Sequence, residues 1–154
     1  MLALRLFVLL IVLSSLGPAG ARGGDQSLLK TRVLAGPVAA RVVRVIDGDT
    51  LEAAVDIWLD QTLIARVRLA GIDSPETARA ACADERARGE AAKEFLAARL
   101  AGRRIRLSEI RHDKYGGRVL ARVADDDGTD IAALMIDRGL AAAYGAGETW
   151  CPAG

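Results

Sequence analysis

Histidine, cysteine and aromatic residues are scarce in this 154-residue chain, which has one His, two Cys and only 4% Phe, Trp and Tyr together. The single histidine, His112, builds no imidazole cluster, and two cysteines with no histidine beside them make a poor zinc site. The shortage of aromatics argues against a pure stacking platform for bases. An excess of positive charge is missing as well, since 21 Lys and Arg face 20 Asp and Glu. A chain that held nucleic acid by bulk charge would be strongly basic. An anionic ligand here must be held by a few placed cations. No internal repeat is visible.

One apolar run opens the chain, from Leu2 to Leu16, with Arg5 near its start and Gly17-Pro18 at its end. It falls short of the ~20 residues that a spanning helix needs. Ala19-Gly20-Ala21 follows, with small residues suited to cleavage, so residues 1–21 read as a signal peptide. The expected protein is exported, periplasmic or secreted, with no membrane anchor after cleavage. Removing this segment takes away only Arg5, which leaves 20 basic and 20 acidic side chains. Cys82 and Cys151 allow a single connectivity, and in an exported protein an even pair suggests a disulfide. Residues 22–37, with Gly23-Gly24 and Gly36-Pro37, read as a flexible lead-in. Residues 38–154 are enough for one compact domain.

Within that domain the pattern is three strands, a helix, two strands and a short helix. Arg41–Ile46 is β-branched and ends at the turn pair Asp47-Gly48. Leu51–Leu59 follows, and then Leu63–Leu69, where Leu63, Ala65, Val67 and Leu69 alternate with Arg66 and Arg68. Between Asp84 and Leu100 the period changes. Ala92, Phe95, Leu96 and Leu100 form one helical stripe, with Asp84 as the expected cap and Gly102 just past the end. Arg104–Ile110 and Arg118–Ala124 are two more strands, and Ile131, Leu134 and Met135 mark a short helix stopped by Gly139. The fold class is α+β, a five-stranded OB-type barrel with two or three packed helices.

The chemistry gathers around Asp47-Gly48-Asp49-Thr50 and Asp73-Ser74-Pro75-Glu76-Thr77. A hairpin turning near Asp60-Gln61 places Asp49 opposite Ile72, beside Asp73. Carboxylates brought together repel, and they coexist with a cation or a raised pKa. Oxygen ligands without sulfur or imidazole favour calcium or magnesium over zinc or copper. Such an open site can present water to a phosphorus centre, with Glu76 as the candidate to deprotonate that water. Arg68 offers a planar fork to a phosphate, and Arg118 is a second candidate. Taken singly, each motif has a plainer reading. Asp-Gly-Asp-Thr is an ordinary turn, Ser-Pro-Glu-Thr an ordinary helix start, and Lys114-Tyr115-Gly116 an ordinary hairpin. Asp125-Asp126-Asp127 lacks the ligand spacing of a calcium loop and reads as a surface turn. The conjunction carries the functional reading.

Four blocks in order resemble the thermonuclease, or staphylococcal-nuclease-like, family. They are Val45–Thr50, Val67–Thr77, Asp113–Ala121 and Arg138–Ala141. The resemblance implies an OB-type barrel and calcium-dependent hydrolysis of DNA and RNA phosphodiester bonds. It implies that Asp49 and Asp73 bind Ca2+ through carboxylates, and Ser74 through its carbonyl. Glu76 would be the general base, and Arg68 and Arg118 would grip the scissile phosphate. Lys114 and Tyr115 would contact a neighbouring phosphate, and Tyr144 would pack on a base. The expected partners are single-stranded or frayed DNA and RNA, with a monomer and no stable protein partner. Two departures stand out. Ser74 replaces the more usual threonine, and Gly117 is an extra residue that can displace Arg118. The alternative is a barrel that binds single strands without cutting them.

Overall fold

The computed structural model describes residues 33–152. The expected signal peptide, residues 1–21, lies outside them. Strands β1 (Val38–Asp47), β2 (Thr50–Trp58) and β3 (Gln61–Leu69) are followed by the two-residue strand β4 (Ile72–Asp73) and helix α1 (Ala83–Leu100). Strands β5 (Arg104–His112) and β6 (Arg118–Asp125), helix α2 (Ile131–Asp137) and the short strand β7 (Ala142–Ala143) complete the order. Five strands close a barrel in the order β1-β2-β3-β6-β5, and β4 pairs with β7 outside it. Only the β3–β6 contact is parallel among the barrel pairings. This is the expected OB-type α+β architecture. Closure leaves the barrel without an open edge.

The core follows from strand alternation. Val42, Leu51, Ala53, Val67, Leu69, Ile105, Leu107, Ala121 and Val123 point inward and are buried. Arg66, Arg104, Arg106 and Arg122 alternate with them and are exposed. Ala92, Leu96 and Leu100 of α1 and Ile131 and Met135 of α2 pack onto the same core. Full burial of each large aliphatic side chain contributes roughly 1.5–3 kcal/mol. No helix among the described residues is long and apolar enough to cross a membrane.

Four expectations change. The β2–β3 register pairs Thr50 with Arg68 and Leu51 with Val67, so Asp49 is not opposite Ile72. The Asp49 carbonyl instead accepts from the Leu69 N–H at 2.8 Å. The turn lies at Leu59-Asp60, where Asp60 takes a left-handed φ of 58°, and the pairing slips by three positions. Asp73 therefore reaches Asp49 by a different route, a sharp turn through Gly71 at φ 87° into β4. The cap of α1 is Cys82 and not Asp84: the Cys82 sulfur accepts from the Glu85 N–H at 3.4 Å. The end of the lead-in is not loose, because Leu34 exchanges two hydrogen bonds of 2.8 Å with Ile110 of β5. Finally, Asp125 is no surface residue. It is buried, paired with Arg99, and accepts from the backbone of Asp127 and Thr129.

Candidate active site

Asp49 sits in the tight connection between β1 and β2, where Asp47 pairs with Thr50. The Asp47 carboxylate accepts from the Asp49 N–H at 3.3 Å, the local bond that makes aspartate common in such turns. Gly48 is required by packing. A Cβ there would lie 2.8 Å from both the Ala92 and the Ser74 Cβ atoms. The turn thus presses against α1 on one side and against the Ser74 segment on the other. This buries the Asp49 side chain, which accepts from the Thr50 hydroxyl at 2.8 Å and from the Ser74 N–H at 3.4 Å.

Arg68, on the last turn of pleat in β3, joins the two predicted metal-binding acids. One terminal nitrogen lies 2.6 Å from Asp49 Oδ2 and the other 2.7 Å from Asp73 Oδ1. The structure therefore brings Asp49, Asp73, Ser74 and Arg68 to one place. Burial pushes the Asp49 carboxyl up to about 6; the positive charge of Arg68 opposes this, and the negative charge of Asp47 adds to it. Burial also works against the charge of Arg68, but Asp49, Asp73 and Asp113 outweigh it and raise its pKa.

The charges do not balance. Asp49 and Asp73 share one guanidinium, and Asp47 adds its negative charge beside Asp49, so the cluster is short of positive charge. The donor set is carboxylate and carbonyl oxygen, which suits a hard divalent cation. Among the described residues no three acidic, histidine or cysteine side chains converge closely enough to cage an ion. A cation here would be held by Asp49, Asp73 and the Ser74 carbonyl, with its other positions open to water, an arrangement ordinary for magnesium and open calcium sites. On charge and donor chemistry the residues fit such an ion.

Arg118 opens β6, in register with Arg66. Gly117 absorbs the extra residue with a left-handed φ of 83° and open space around it. The Arg118 guanidinium is held by the Asp113 carboxylate and lies 4.9 Å from the centre of the Tyr115 ring. Burial raises the Asp113 pKa, but the bond from Arg118 and the N–H groups of Lys114 and Tyr115 lower it further than that. Lys114 lies 5.0 Å from the same ring centre, and the Tyr115 and Tyr144 phenols favour its charged form. Tyr144 arrives through β7, whose Ala142 pairs with Asp73, and its N–H donates to the Gly71 carbonyl at 2.9 Å. Both tyrosines are exposed. The three predicted substrate-binding residues thus share one surface, connected to Arg118 through the Tyr115 ring.

The Glu76 side chain is exposed and forms no hydrogen bond or ion pair among the described residues, so the structure does not join it to the acids. Cys82 and Cys151 form the disulfide, with Cα atoms 6.0 Å apart. Sequence reasoning missed Asp113 as the holder of Arg118, and Gly48 and Gly89 as packing residues. Gly89, inside a helix where glycine costs about 1 kcal/mol, asked for a packing reason.

Residues 66–151 match the family described as staphylococcal nuclease homologue. This chain belongs to that family. It is 31% identical over 112 residues to an uncharacterized endonuclease of Escherichia coli, covering 73% of this chain and 65% of the relative. It is 36% identical over 110 residues to micrococcal nuclease of Shigella flexneri, covering 67% of this chain and 56% of the relative. Protein ParB of Escherichia coli is 34% identical over 128 residues, with 75% and 65% covered. The chain thus spans less than two thirds of the length of these relatives.

Proposed function

We propose that this protein is an exported, divalent-metal-dependent nuclease that hydrolyses phosphodiester bonds of DNA or RNA, with calcium as its ion. The observation that carries the reading is the juxtaposition of Asp49 and Asp73 across Arg68, in a cluster with unbalanced negative charge. Family membership and relatives named as nucleases support it. The disulfide supports export, because such bonds persist in oxidising compartments.

Asp49, Asp73 and the Ser74 carbonyl would hold the ion. When bound, the ion neutralises phosphate oxygen and acidifies a coordinated water. Arg68, whose two terminal nitrogens rest on Asp49 and Asp73, would turn its planar fork to the phosphate once a cation takes up the charge of those carboxylates, and Arg118, oriented by Asp113, supplies a second cation where negative charge grows in the transition state. Glu76, whose exposed side chain has no partner among the described residues, takes the proton of the attacking water. Lys114 and Tyr115 hold the adjacent phosphate, and Tyr144 offers its exposed ring to a base. Solvent exposure of that ring suits a single or frayed strand.

The test is incubation of the mature protein with single-stranded DNA, with calcium, with magnesium or with a chelator. The reading expects cutting that calcium supports, that the chelator abolishes and that Glu76→Gln reduces by at least about a hundredfold, the scale of general-base catalysis. Tight binding without cutting under every condition would assign the chain to the non-catalytic alternative.

A further inference from the structure

We infer that Glu85 is a positioning residue for Glu76, a role that rests on the nuclease reading of the site. Glu85 lies in the first turn of α1 and reaches back over the loop that precedes the helix. One carboxylate oxygen accepts from the Glu76 N–H at 3.4 Å, and the other accepts from the Ala81 N–H at 2.6 Å. A single side chain therefore clasps both ends of the loop from Glu76 to Ala81. Among the described residues the Glu76 side chain has no partner of its own, so its aim depends on where its backbone is held.

The clasp is itself anchored. The Glu85 N–H donates to the sulfur of Cys82 at 3.4 Å, and Cys82 is bonded to Cys151. From the other side, Gly89 sits one helical turn later and lets α1 approach the same loop. A Cβ at that position would lie 2.7 Å from the Pro75 carbonyl oxygen and 2.9 Å from that of Glu76. Glu85 pulls on the Glu76 amide while Gly89 sets how near its carbonyl stands to the helix. The Glu85 carboxylate makes a short, charge-assisted bond to the Ala81 N–H and a longer one to the Glu76 N–H, and together they define the geometry of the loop. Displacing a reacting group by about 1 Å costs on the order of a hundredfold in rate.

The experiment compares wild type, Glu85→Gln, Glu85→Ala and Gly89→Ala in calcium-dependent cleavage of single-stranded DNA. Calcium affinity and thermal midpoint are measured on each. The expected result is a kcat loss of about tenfold or more in Glu85→Ala, with KM and calcium affinity within about twofold. Glu85→Gln, which keeps one acceptor oxygen, should fall between it and wild type. Gly89→Ala, with Glu85 intact, should show the same kcat-selective loss, and it decides the matter if Glu85→Ala does not fold. Wild-type kcat in Glu85→Ala, or a loss expressed in KM or calcium affinity, would overturn the proposal. If wild type itself does not cut, the nuclease reading fails separately. Amide hydrogen exchange then reads the clasp directly: the Glu76 and Ala81 N–H groups should exchange at least about tenfold faster in Glu85→Ala, and unchanged exchange would refute it.

Discussion

The two ends of the β2–β3 hairpin are made by the same pair of strands, yet they differ in every respect that matters for chemistry. At one end Thr50 pairs with Arg68, and the neighbouring Asp49 is buried under α1, the Ser74 segment and the Arg68 guanidinium. At the other end Ile57, Trp58, Leu59, Leu63 and Ile64 stand exposed, with Trp58 at 74% and Leu59 at 82%. Strand propensity is similar at both ends. What differs is the number of other elements that converge. The helix, the short β4–β7 pair and the disulfide all support the acidic end, and nothing among the described residues covers the tip. Burial of charge at the first end is what makes Asp49 hard to ionise and receptive to a cation.

That contrast can be broken from the supported side. Reduction of the Cys82–Cys151 bond, or a Cys82→Ala, Cys151→Ala variant, should have the largest effect on stability. In the chain-entropy model, loss of a cross-link of this span costs about 4 kcal/mol. Urea unfolding with and without reductant checks it; equal midpoints would separate the bond from the fold. Next comes Gly48→Ala. Its new Cβ meets Ala92 and Ser74 at 2.8 Å, a collision with two elements at once. Overpacking of this kind costs about 1–3 kcal/mol, and calcium affinity should fall with it, which calorimetry would read.

A smaller, pH-dependent effect comes from Asp125. Burial raises its carboxyl pKa, but hydrogen bonds from the Thr129 and Asp127 N–H groups and from Arg99 bring it below the usual value. A depressed folded pKa contributes stability that is present above the unfolded carboxylate pKa near ~3.9. That stability is lost as pH falls through the depressed folded value. Asp125→Asn should therefore flatten the acid limb of the stability curve below about pH 4 while lowering stability at neutral pH. The smallest effect belongs to the tip. Trp58→Ser should change stability by no more than about 0.5 kcal/mol, as at other exposed positions. A larger loss would mean that the two ends are less different than their burial implies.

Much of this was legible in the residues. Alternation from Ala65 to Leu69 and the stripe at Ala92, Leu96 and Leu100 revealed strand and helix because burial on one face imposes those periods, whereas Leu63, on the same face nearer the tip, is exposed. Asp49, Asp73 and Arg68, which the fold brings together, were readable as candidates because each lay in a motif of fixed spacing. Register was not readable, since nothing in Leu59-Asp60-Gln61 announces which residue will take φ 58°. The β4 and β7 strands have two residues each, too few to show a period. Asp113 and Glu85 act through contacts that only the folded chain creates. The cap at Cys82 was hidden because sulfur is a weak acceptor, and Asp84 is a commoner choice for the role.

Calorimetric titration of calcium into the mature protein, beside Asp49→Asn and Asp73→Asn, tests the central claim most directly. One ion should bind to the wild type, and each single replacement should weaken it by at least about tenfold, since a charged ligand is lost. Binding that stays undiminished when either carboxylate is neutralised would contradict the account, whatever the protein does to nucleic acid.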